Sequence, residues 1–158
     1  MADVVCVDDD AAETLSRLHF ACFDEGWNAG TFARLMSPQG SFALLAYDGE
    51  GAQRPSAAIG FALVRHTRGE SELLTLGVVP ACRDMGVARQ LMTALLDRVA
   101  KDGAMTMVLE VAEDNHAARH LYETFGFVAV GRRAGYYRRD EEVADAVTMR
   151  ADLAGPKD

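Results

Sequence analysis

The alternation of apolar and polar positions is clearest in one central stretch of the chain. A β-rich apolar run, Leu73–Val79, ends at Pro80, and a short polar turn at 81–85 follows it. Gly86 then opens a segment whose apolar residues are spaced by four positions: Val87, Leu91, Leu95 and Val99. Such spacing places side chains on one face of an amphipathic helix. The stretch therefore predicts a strand, a turn and a helix, and the start of that helix would suit an anion such as phosphate.

The segments before this stretch show the same two periodicities. Helices are predicted at Ala11–Phe23, with Asp10 as its cap, and at Thr31–Met36. Strands are predicted at Val4–Val7, Ser41–Tyr47, Ala57–Arg65 and Glu70–Val79. The last three follow one another closely, which favours an antiparallel meander with an exposed turn at 48–56. Gly60 indicates a bulge or a close backbone contact.

The segments after the central helix complete one mixed sheet. Met105–Val111 is a near-continuous apolar run, typical of a strand buried on both faces. Because it follows a strand, a turn and a helix, we expect it to pair parallel with Glu70–Val79. A helix is predicted over 116–125, capped by Asp114 or Asn115 and ended by Gly126. Another strand is predicted to begin at Phe127–Val130, and a last strand is predicted at Val147–Met149, after a charged stretch at 138–146. Nothing divides residues 1–158, so one α/β domain is predicted.

Composition excludes several classes of function. The chain has 158 residues, of which 49% are hydrophobic and 25% charged, as in an ordinary globular domain. No apolar run reaches the roughly 20 residues of a membrane span, and the N-terminal segment lacks the pattern of a signal peptide. The net charge of −8 argues against broad nucleic-acid binding. It permits a basic partner, such as an amine or a protein tail rich in lysine and arginine.

Cysteine and histidine positions give no metal-ligand pattern. The three cysteines, Cys6, Cys22 and Cys82, are odd in number and predict reduced thiols in a cytoplasmic protein. His116 and His120 share a helix face, but without a third ligand they are interpreted as exposed helix residues. We therefore predict no metal site, and we interpret Cys82 as a small packing residue rather than a nucleophile.

Four segments carry a resemblance to a known family. They are LGVVPACRDMGVARQLM from Leu76, LEVAEDNHAARHLYETFGF from Leu109, the pair Tyr136–Tyr137, and the ending EEVADAVTM. The turn Arg83-x-x-Gly86-x-Ala88 lacks the glycines of the P-loop and of the Rossmann fingerprint. These segments resemble the GNAT N-acetyltransferases, and within them the RimI-type branch, which acetylates the N-terminal alanine of a ribosomal protein. The second segment is the most specific, because it matches the family spacing at Glu110, Asn115, Ala118, Leu121, Tyr122, Gly126 and Phe127.

The resemblance implies a fold and a co-substrate. The central mixed sheet would splay between the two parallel strands Glu70–Val79 and Met105–Val111, and the pantetheine arm of acetyl-CoA would enter the split. Backbone groups of Leu76, Gly77 and Val78 would pair with that arm, and Asn115 would reach it with its side chain. The pyrophosphate would meet the loop and helix start formed by Arg83, Asp84, Met85, Gly86, Val87, Ala88 and Arg89. Asp84 departs from the family, which has a basic or neutral residue there, and Ala88 replaces the more common glycine.

Two residues are candidates for proton transfer. Transfer of an acetyl group to an amine needs a base for the amine and an acid for the departing thiolate. Glu110 is the one ionisable residue in an apolar strand, so it is either a general base or a carboxylate that meets solvent at the strand end. Tyr122 is either a core tyrosine or a general acid. In both cases the family spacing favours the catalytic role, with Glu110 acting directly or through a water molecule.

The acceptor site is the least determined part of the sequence. Trp27 lies in a glycine-flanked loop and either lines a substrate cleft or covers the core. Tyr136 and Tyr137 are expected to bound the acceptor cleft, either by shaping the pocket or by contacting the substrate. His19 is interpreted as a packed or surface residue. The pairs Arg132–Arg133 and Arg138–Arg139 are interpreted as a solvated face, with a cofactor phosphate contact as the alternative for one of them. The resemblance implies a ribosomal protein N-terminus as acceptor. A lysine side chain, a polyamine or a small-molecule amine is the alternative, and a coenzyme-A-binding sensor without turnover is another.

Overall fold

The computed structural model describes residues 2–49, 57–67, 69–139 and 142–153. Residues 50–56 of the predicted turn at 48–56 lie outside the described residues, and so do residues 140–141 of the charged stretch. The helices of the described chain are α1 Ala12–Cys22, α2 Ala29–Met36, α3 Val87–Lys101 and α4 His116–Thr124. Its strands are β1 Asp3–Val7, β2 Phe42–Tyr47, β3 Ala58–Thr67, β4 Glu70–Val78, β5 Thr106–Ala112, β6 Val128–Arg139 and β7 Glu142–Asp152.

The strands of the described residues form one mixed sheet in the order β1-β2-β3-β4-β5-β7-β6. Neighbouring strands are antiparallel except β4 and β5, which pair parallel and are connected through α3. The predicted meander of β2, β3 and β4 is confirmed. The predicted parallel pair is also confirmed, as expected for two strands joined by a helical crossover.

The two faces of the sheet are buried against different helices. On one face, α1 and α2 bury apolar side chains against β2 and β3, among them Leu15, Leu18, Phe32, Phe61 and Leu63. On the other face, α3 buries the predicted residues Val87, Leu91, Leu95 and Val99 against β2, β3 and β4. Each large aliphatic side chain stabilises the fold by about 1.5–3 kcal/mol on leaving water. An exposed ion pair contributes only about 0–1 kcal/mol, so the core rather than surface charge holds the sheet and helices together.

Gly60 marks the point where α3 lies closest to β3. A Cβ atom there would lie 3.2 Å from the Gly77 carbonyl oxygen and 3.2 Å from a methyl group of Val87. The residue therefore serves close packing, which was one of the two predicted roles. Gly60 also borders a bulge, the other predicted role, because β3 carries Ile59 as an extra residue between Ala58 opposite Tyr47 and Gly60 opposite Ala46.

Two predicted details differ in the structure, whereas the end of α4 at Gly126 is as predicted. Asp10 does not cap α1. Instead, the Asp8 side chain accepts a hydrogen bond of 3.3 Å from the Asp10 N–H and caps a short 3₁₀ turn, after which α1 begins at Ala12. The last strand is longer than Val147–Met149, because much of the charged stretch extends β6 and β7, where exposed positions near a sheet edge tolerate charge. Helix α4 ends at Thr124, and Gly126 follows in the left-handed region with φ 92°.

None of the described helices combines the length and the hydropathy needed to cross a membrane.

Candidate active site

The sheet opens between β4 and β5, as the family resemblance implied. The two strands pair from Glu70 opposite Thr106 to Leu73 opposite Leu109. Beyond Leu73, β4 continues to Val78 and β5 continues to Ala112 without pairing with each other. On its other side, β4 carries Leu74 as an extra residue, since Val64 faces Leu73 and Leu63 faces Thr75. A bulge bends and twists its strand, which accounts for the way the end of β4 leaves β5.

The predicted pantetheine residues Leu76, Gly77 and Val78 form the open end of β4. A Cβ atom at Gly77 would lie 2.8 Å from the Phe61 ring and 3.2 Å from the Cβ of Cys22. Glycine is therefore required for α1 to pack directly above the split. The Val78 carbonyl accepts a hydrogen bond of 2.9 Å from Arg83 Nε, so this carbonyl already has a partner within the chain.

The loop before α3 has the backbone geometry of an anion site. Asp84 and Gly86 both lie in the left-handed region, with φ 63° and 82°. No side chain caps the start of α3, and the Gln90 N–H makes its bond back to the Gly86 carbonyl. The N–H groups of Val87, Ala88 and Arg89 precede the first helical bond and lie at the positive end of the helix dipole. Together these features provide donors for a pyrophosphate.

The side chains of this loop point to structural partners. Besides its bond to Val78, the Arg83 guanidinium lies beside the Cys22 thiol, whose pKa is raised by burial and partly lowered again by this neighbour. Arg89 reaches α4, where its Nη2 lies 3.4 Å from Thr124 Oγ1 and its guanidinium lies 5.4 Å from the centre of the Phe125 ring. Met85 is 71% exposed. Backbone amides, rather than these side chains, therefore supply the anion-binding character of the loop.

Glu110 is the first residue of β5 beyond the paired section. Leu109 faces the α3 core, so Glu110 faces the α1–α2 side of the sheet, because successive strand side chains alternate. Its side chain is 23% exposed, and one carboxylate oxygen, Oε1, lies 3.2 Å from Arg133 Nη2. The other oxygen, Oε2, is buried and has no hydrogen-bond partner among the described residues. Glu110 is thus an ion-paired, partly buried carboxylate. It is not an isolated charge in an apolar strand, and it is not fully in solvent at the strand end.

Tyr122 lies in α4 and is 7% exposed. Its ring packs edge to face against Phe127 at a centroid distance of 6.0 Å. Burial raises the pKa of the Tyr122 phenol to about 12, and the Tyr137 phenol adds to the rise. A phenol with this pKa stays protonated at neutral pH, so it can donate a proton but cannot act as a base.

Contacts from β6 link Glu110 to the predicted tyrosine pair. The Arg133 guanidinium lies 5.0 Å from the centre of the Tyr136 ring, and Tyr136 packs edge to face on Tyr137 at 5.2 Å. Tyr137 also acts electrostatically on Tyr122, since its phenol contributes to the raised pKa of Tyr122. The structure therefore joins Glu110, Arg133 and the tyrosine pair by contacts, and Tyr122 is coupled to that pair by charge.

The pair Arg132–Arg133 was interpreted as a solvated face, and both side chains are indeed exposed, but each also has an acidic partner that the sequence did not indicate. Arg133 binds Glu110, whereas Arg132 lies 2.6 Å from Glu113 Oε1 and 3.2 Å from Asp145 Oδ2. Adjacent strand residues point to opposite faces, so two neighbouring arginines acquire different partners. No signal in a single sequence reveals this, because it depends on the register of β5, β7 and β6. The side chains of Arg138 and Arg139 lie outside the described atoms.

Asn115 has a structural role at the start of α4. Its Oδ1 accepts a hydrogen bond of 3.2 Å from the Ala118 N–H and caps the helix. The carboxamide oxygen is therefore in use, and the amide NH₂ is the group left to serve the predicted contact with pantetheine.

His116 and His120 are exposed, and Cys82 packs against the core on the α3 side. Among the described residues, the one group of side chains close enough to share a metal ion is the exposed cluster Asp8, Asp9 and Asp10.

Trp27 is fixed to α1 through both its backbone and its ring. Its N–H donates to His19 Nδ1 at 3.1 Å, and its carbonyl accepts from Ser16 Oγ at 2.7 Å. The indole stacks on the His19 ring at 4.5 Å with an interplanar angle of 16°. His19 is 3% exposed, and burial lowers its pKa to about 4, so the neutral ring accepts this hydrogen bond. Trp27 thus covers the core. It is also half-buried on the same sheet face as Glu110, and its contact with an acceptor stays a prediction.

Comparison with known proteins identifies relatives of this chain. The family described as Acetyltransferase (GNAT) family matches residues 12–127. The N-alpha-acetyltransferase RimI of Mycobacterium tuberculosis is 38% identical over 138 residues, which are 84% of this chain and 80% of that protein. The ribosomal protein bS18-alanine N-acetyltransferase of Escherichia coli K12 is 35% identical over 89 residues, which are 56% of this chain and 60% of that protein.

The chain also matches solved structures along nearly its whole length. The crystal structure of the ribosomal-protein-S18-alanine N-acetyltransferase from Escherichia coli superimposes with a TM-score of 0.87 at 25% identity. The match covers 99% of this chain and 97% of that one. The two chains therefore share one fold along nearly their whole length.

Proposed function

This chain belongs to the acetyltransferase (GNAT) family and is an acetyl-CoA-dependent N-acetyltransferase, and we propose that its acceptor is the N-terminal α-amine of a protein. The Mycobacterium tuberculosis relative is an N-alpha-acetyltransferase, and the Escherichia coli enzyme, which matches in sequence and in structure, is a ribosomal-protein-alanine N-acetyltransferase. We propose the same class of acceptor here, with an N-terminal alanine of a ribosomal protein first. The observation that supports it best is the position of Glu110, which begins the unpaired end of β5 at the split and has one buried oxygen without a partner among the described residues.

The split gives acetyl-CoA an extended place to bind. The open edge of β4 from Leu74 to Val78 offers backbone groups to the amides of the pantetheine arm, in the manner of an added strand. The pyrophosphate would meet the backbone N–H groups at the start of α3. The thioester would then lie further along the arm, toward the side of the split on which Glu110 begins the unpaired end of β5.

Direct transfer in a ternary complex follows from these placements. Glu110 accepts the amine proton, directly or through water, and the amine nitrogen attacks the thioester carbonyl carbon. The tetrahedral intermediate collapses, the carbon–sulfur bond breaks, and the Tyr122 hydroxyl donates its proton to the thiolate. Coenzyme A and the acetylated amine are released, and Glu110 then gives its proton to solvent while the Tyr122 phenolate takes one up, which restores both groups. Because the thiolate is protonated as it leaves, the reverse attack of sulfur on the new amide is suppressed.

Asp84 should weaken binding of the co-substrate, because its exposed carboxylate lies in the proposed pyrophosphate loop. Asp84→Asn removes the charge, and asparagine still tolerates the positive φ of 63° at this position. We expect coenzyme A to bind about two- to fivefold more tightly at low salt, the effect of one screened charge. Titration calorimetry would measure this, and the gain should shrink at about 1 M salt.

Asp97→Asn is the matched control for this change. Asp97 is an exposed carboxylate of α3 that pairs with Lys101, and it lies ten residues, or about 15 Å, beyond the start of the helix. It should leave the affinity for coenzyme A within about twofold, because a charge at this distance is largely screened. Equal gains from the two variants would show that overall charge, and not the loop, sets the affinity.

A pair of peptides tests the acceptor. Both begin with alanine, and one has a free α-amine, whereas the other is blocked at that amine and carries a lysine side chain. Mass spectrometry after incubation with acetyl-CoA locates the acetyl group. We expect transfer to the free α-amine alone. Transfer to the lysine would move the acceptor to the alternative class, and release of coenzyme A without any acetylated peptide would point to small-molecule amines instead.

A further inference from the structure

Arg133 reaches Glu110 across an intervening strand. Glu110 of β5 lies opposite Thr148 of β7, and Thr148 lies opposite Gly131 of β6. Arg133 is two residues beyond Gly131 and therefore lies on the same face of the sheet. From there its Nη2 lies 3.2 Å from Glu110 Oε1. The contact thus joins the open end of β5 to the outer hairpin of β6 and β7.

The irregular hairpin holds Arg133 in this place. Between Arg133 opposite Ala146 and Tyr137 opposite Ala144, β6 carries two more residues than β7. Gly135 lies inside this bulge with φ 63°, and its N–H donates to Asp145 Oδ1 at 2.9 Å. The bulge folds Tyr136 back, so its ring lies 5.0 Å from the Arg133 guanidinium. A cation against an aromatic face is held more firmly than one in open solvent.

The two oxygens of Glu110 have different surroundings. Oε1 is paired with Arg133, whereas Oε2 is buried without a hydrogen-bond partner among the described residues. A buried carboxylate oxygen without a partner is costly, so Oε2 is a candidate to receive a water molecule, a ligand atom or a proton. The pairing of Oε1 restricts rotation of the carboxylate and leaves Oε2 as the oxygen free to take a proton.

We infer that Arg133 is a positioning residue for the general base: it holds Glu110 Oε1 so that Oε2 receives the amine proton. The inference rests on the proposed function, since it gives a role to a neighbour of the proposed base. Arg133 touches neither the thioester nor the amine in this scheme and acts only through Glu110. A misplaced base lowers the rate of the chemical step while binding of acetyl-CoA is unaffected.

The test compares Arg133→Gln with Arg132→Gln. The two arginines are adjacent, are 59% and 55% exposed, and each forms ion pairs, but Arg132 pairs with Glu113 and Asp145. We expect Arg133→Gln to lower kcat on the α-amine peptide by about ten- to a hundredfold with an unchanged KM for acetyl-CoA. Arg132→Gln should keep kcat within about twofold. Both variants should keep the wild-type Tm closely, because exposed ion pairs contribute little to stability.

A double variant separates positioning from any independent role. If Arg133 acts only through Glu110, then Glu110→Gln/Arg133→Gln should be as slow as Glu110→Gln alone. A double variant slower by the product of the two single losses would overturn the inference. So would equal kcat values for Arg133→Gln and the wild type. If the wild type acetylates no amine, the proposed function fails, and the role of Arg133 in base catalysis fails with it.

Discussion

Glu110→Gln is expected to lower kcat at neutral pH by about 10²–10⁴-fold, the usual contribution of a positioned general base. The amide has the size of the carboxylate and can still accept from Arg133, but it cannot take a proton from the amine. The loss should become smaller at high pH, because an α-amine with a pKa near 7.7–8.0 then loses its proton to solvent. A pH–rate profile of both enzymes on the free-amine peptide measures this.

Glu72→Gln is the control for that experiment. Glu72 lies on the same face of the sheet as Glu110, is 34% exposed and pairs with Arg65, so its surroundings are closely similar. It differs in position, because it lies in the section of β4 that is paired with β5. Its substitution should leave kcat within about twofold, as for other exposed ion pairs. Full activity of Glu110→Gln at neutral pH would remove Glu110 from the role of base.

Helix periodicity and chain order predicted the parts of the fold that local patterns determine. The four-residue spacing from Val87 to Val99 identified the buried face of α3, and the order of strand, helix and strand identified the parallel pair of β4 and β5. Both depend on neighbours in sequence or on the handedness of a crossover. The position of the split came from the family resemblance, because the bulge at Leu74 that turns β4 away leaves no local signal.

The candidate site was predicted as a set of positions but not as a set of contacts. Glu110 and Tyr122 were named from their spacing, yet Arg133 depends on two strand registers and on a bulge closed by Asp145. Trp27 shows the same limit, because its fixation by His19 and Ser16 joins a loop to one face of α1. Such contacts form between distant segments, and hydrophobic patterning carries no information about which polar partners meet.

Tyr122→Phe is expected to lower kcat by about 10²-fold and to leave the affinity for acetyl-CoA within about twofold, since only the hydroxyl proton is lost. The ring that packs on Phe127 stays in place. Single-turnover kinetics and a binding titration would separate the two quantities. Tyr47→Phe is the matched control, because Tyr47 is buried to the same 7% but belongs to the core on the α1–α2 face. An unchanged kcat for Tyr122→Phe would leave Tyr122 as a packing residue only.

The pH dependence of the same pair gives a sharper test of the acid role. Burial raises the pKa of Tyr122 to about 12, so the folded enzyme keeps this proton well above the ordinary phenol value of about 10. A raised pKa means that the donating form is fully present below pH 10 and is lost only as the pH rises toward 12. Tyr122→Phe should therefore reduce kcat by a constant factor from neutral pH to about pH 10. A fall in wild-type kcat below pH 10 that disappears in the variant would contradict this, because it would show that the buried phenol loses its proton earlier than its surroundings predict.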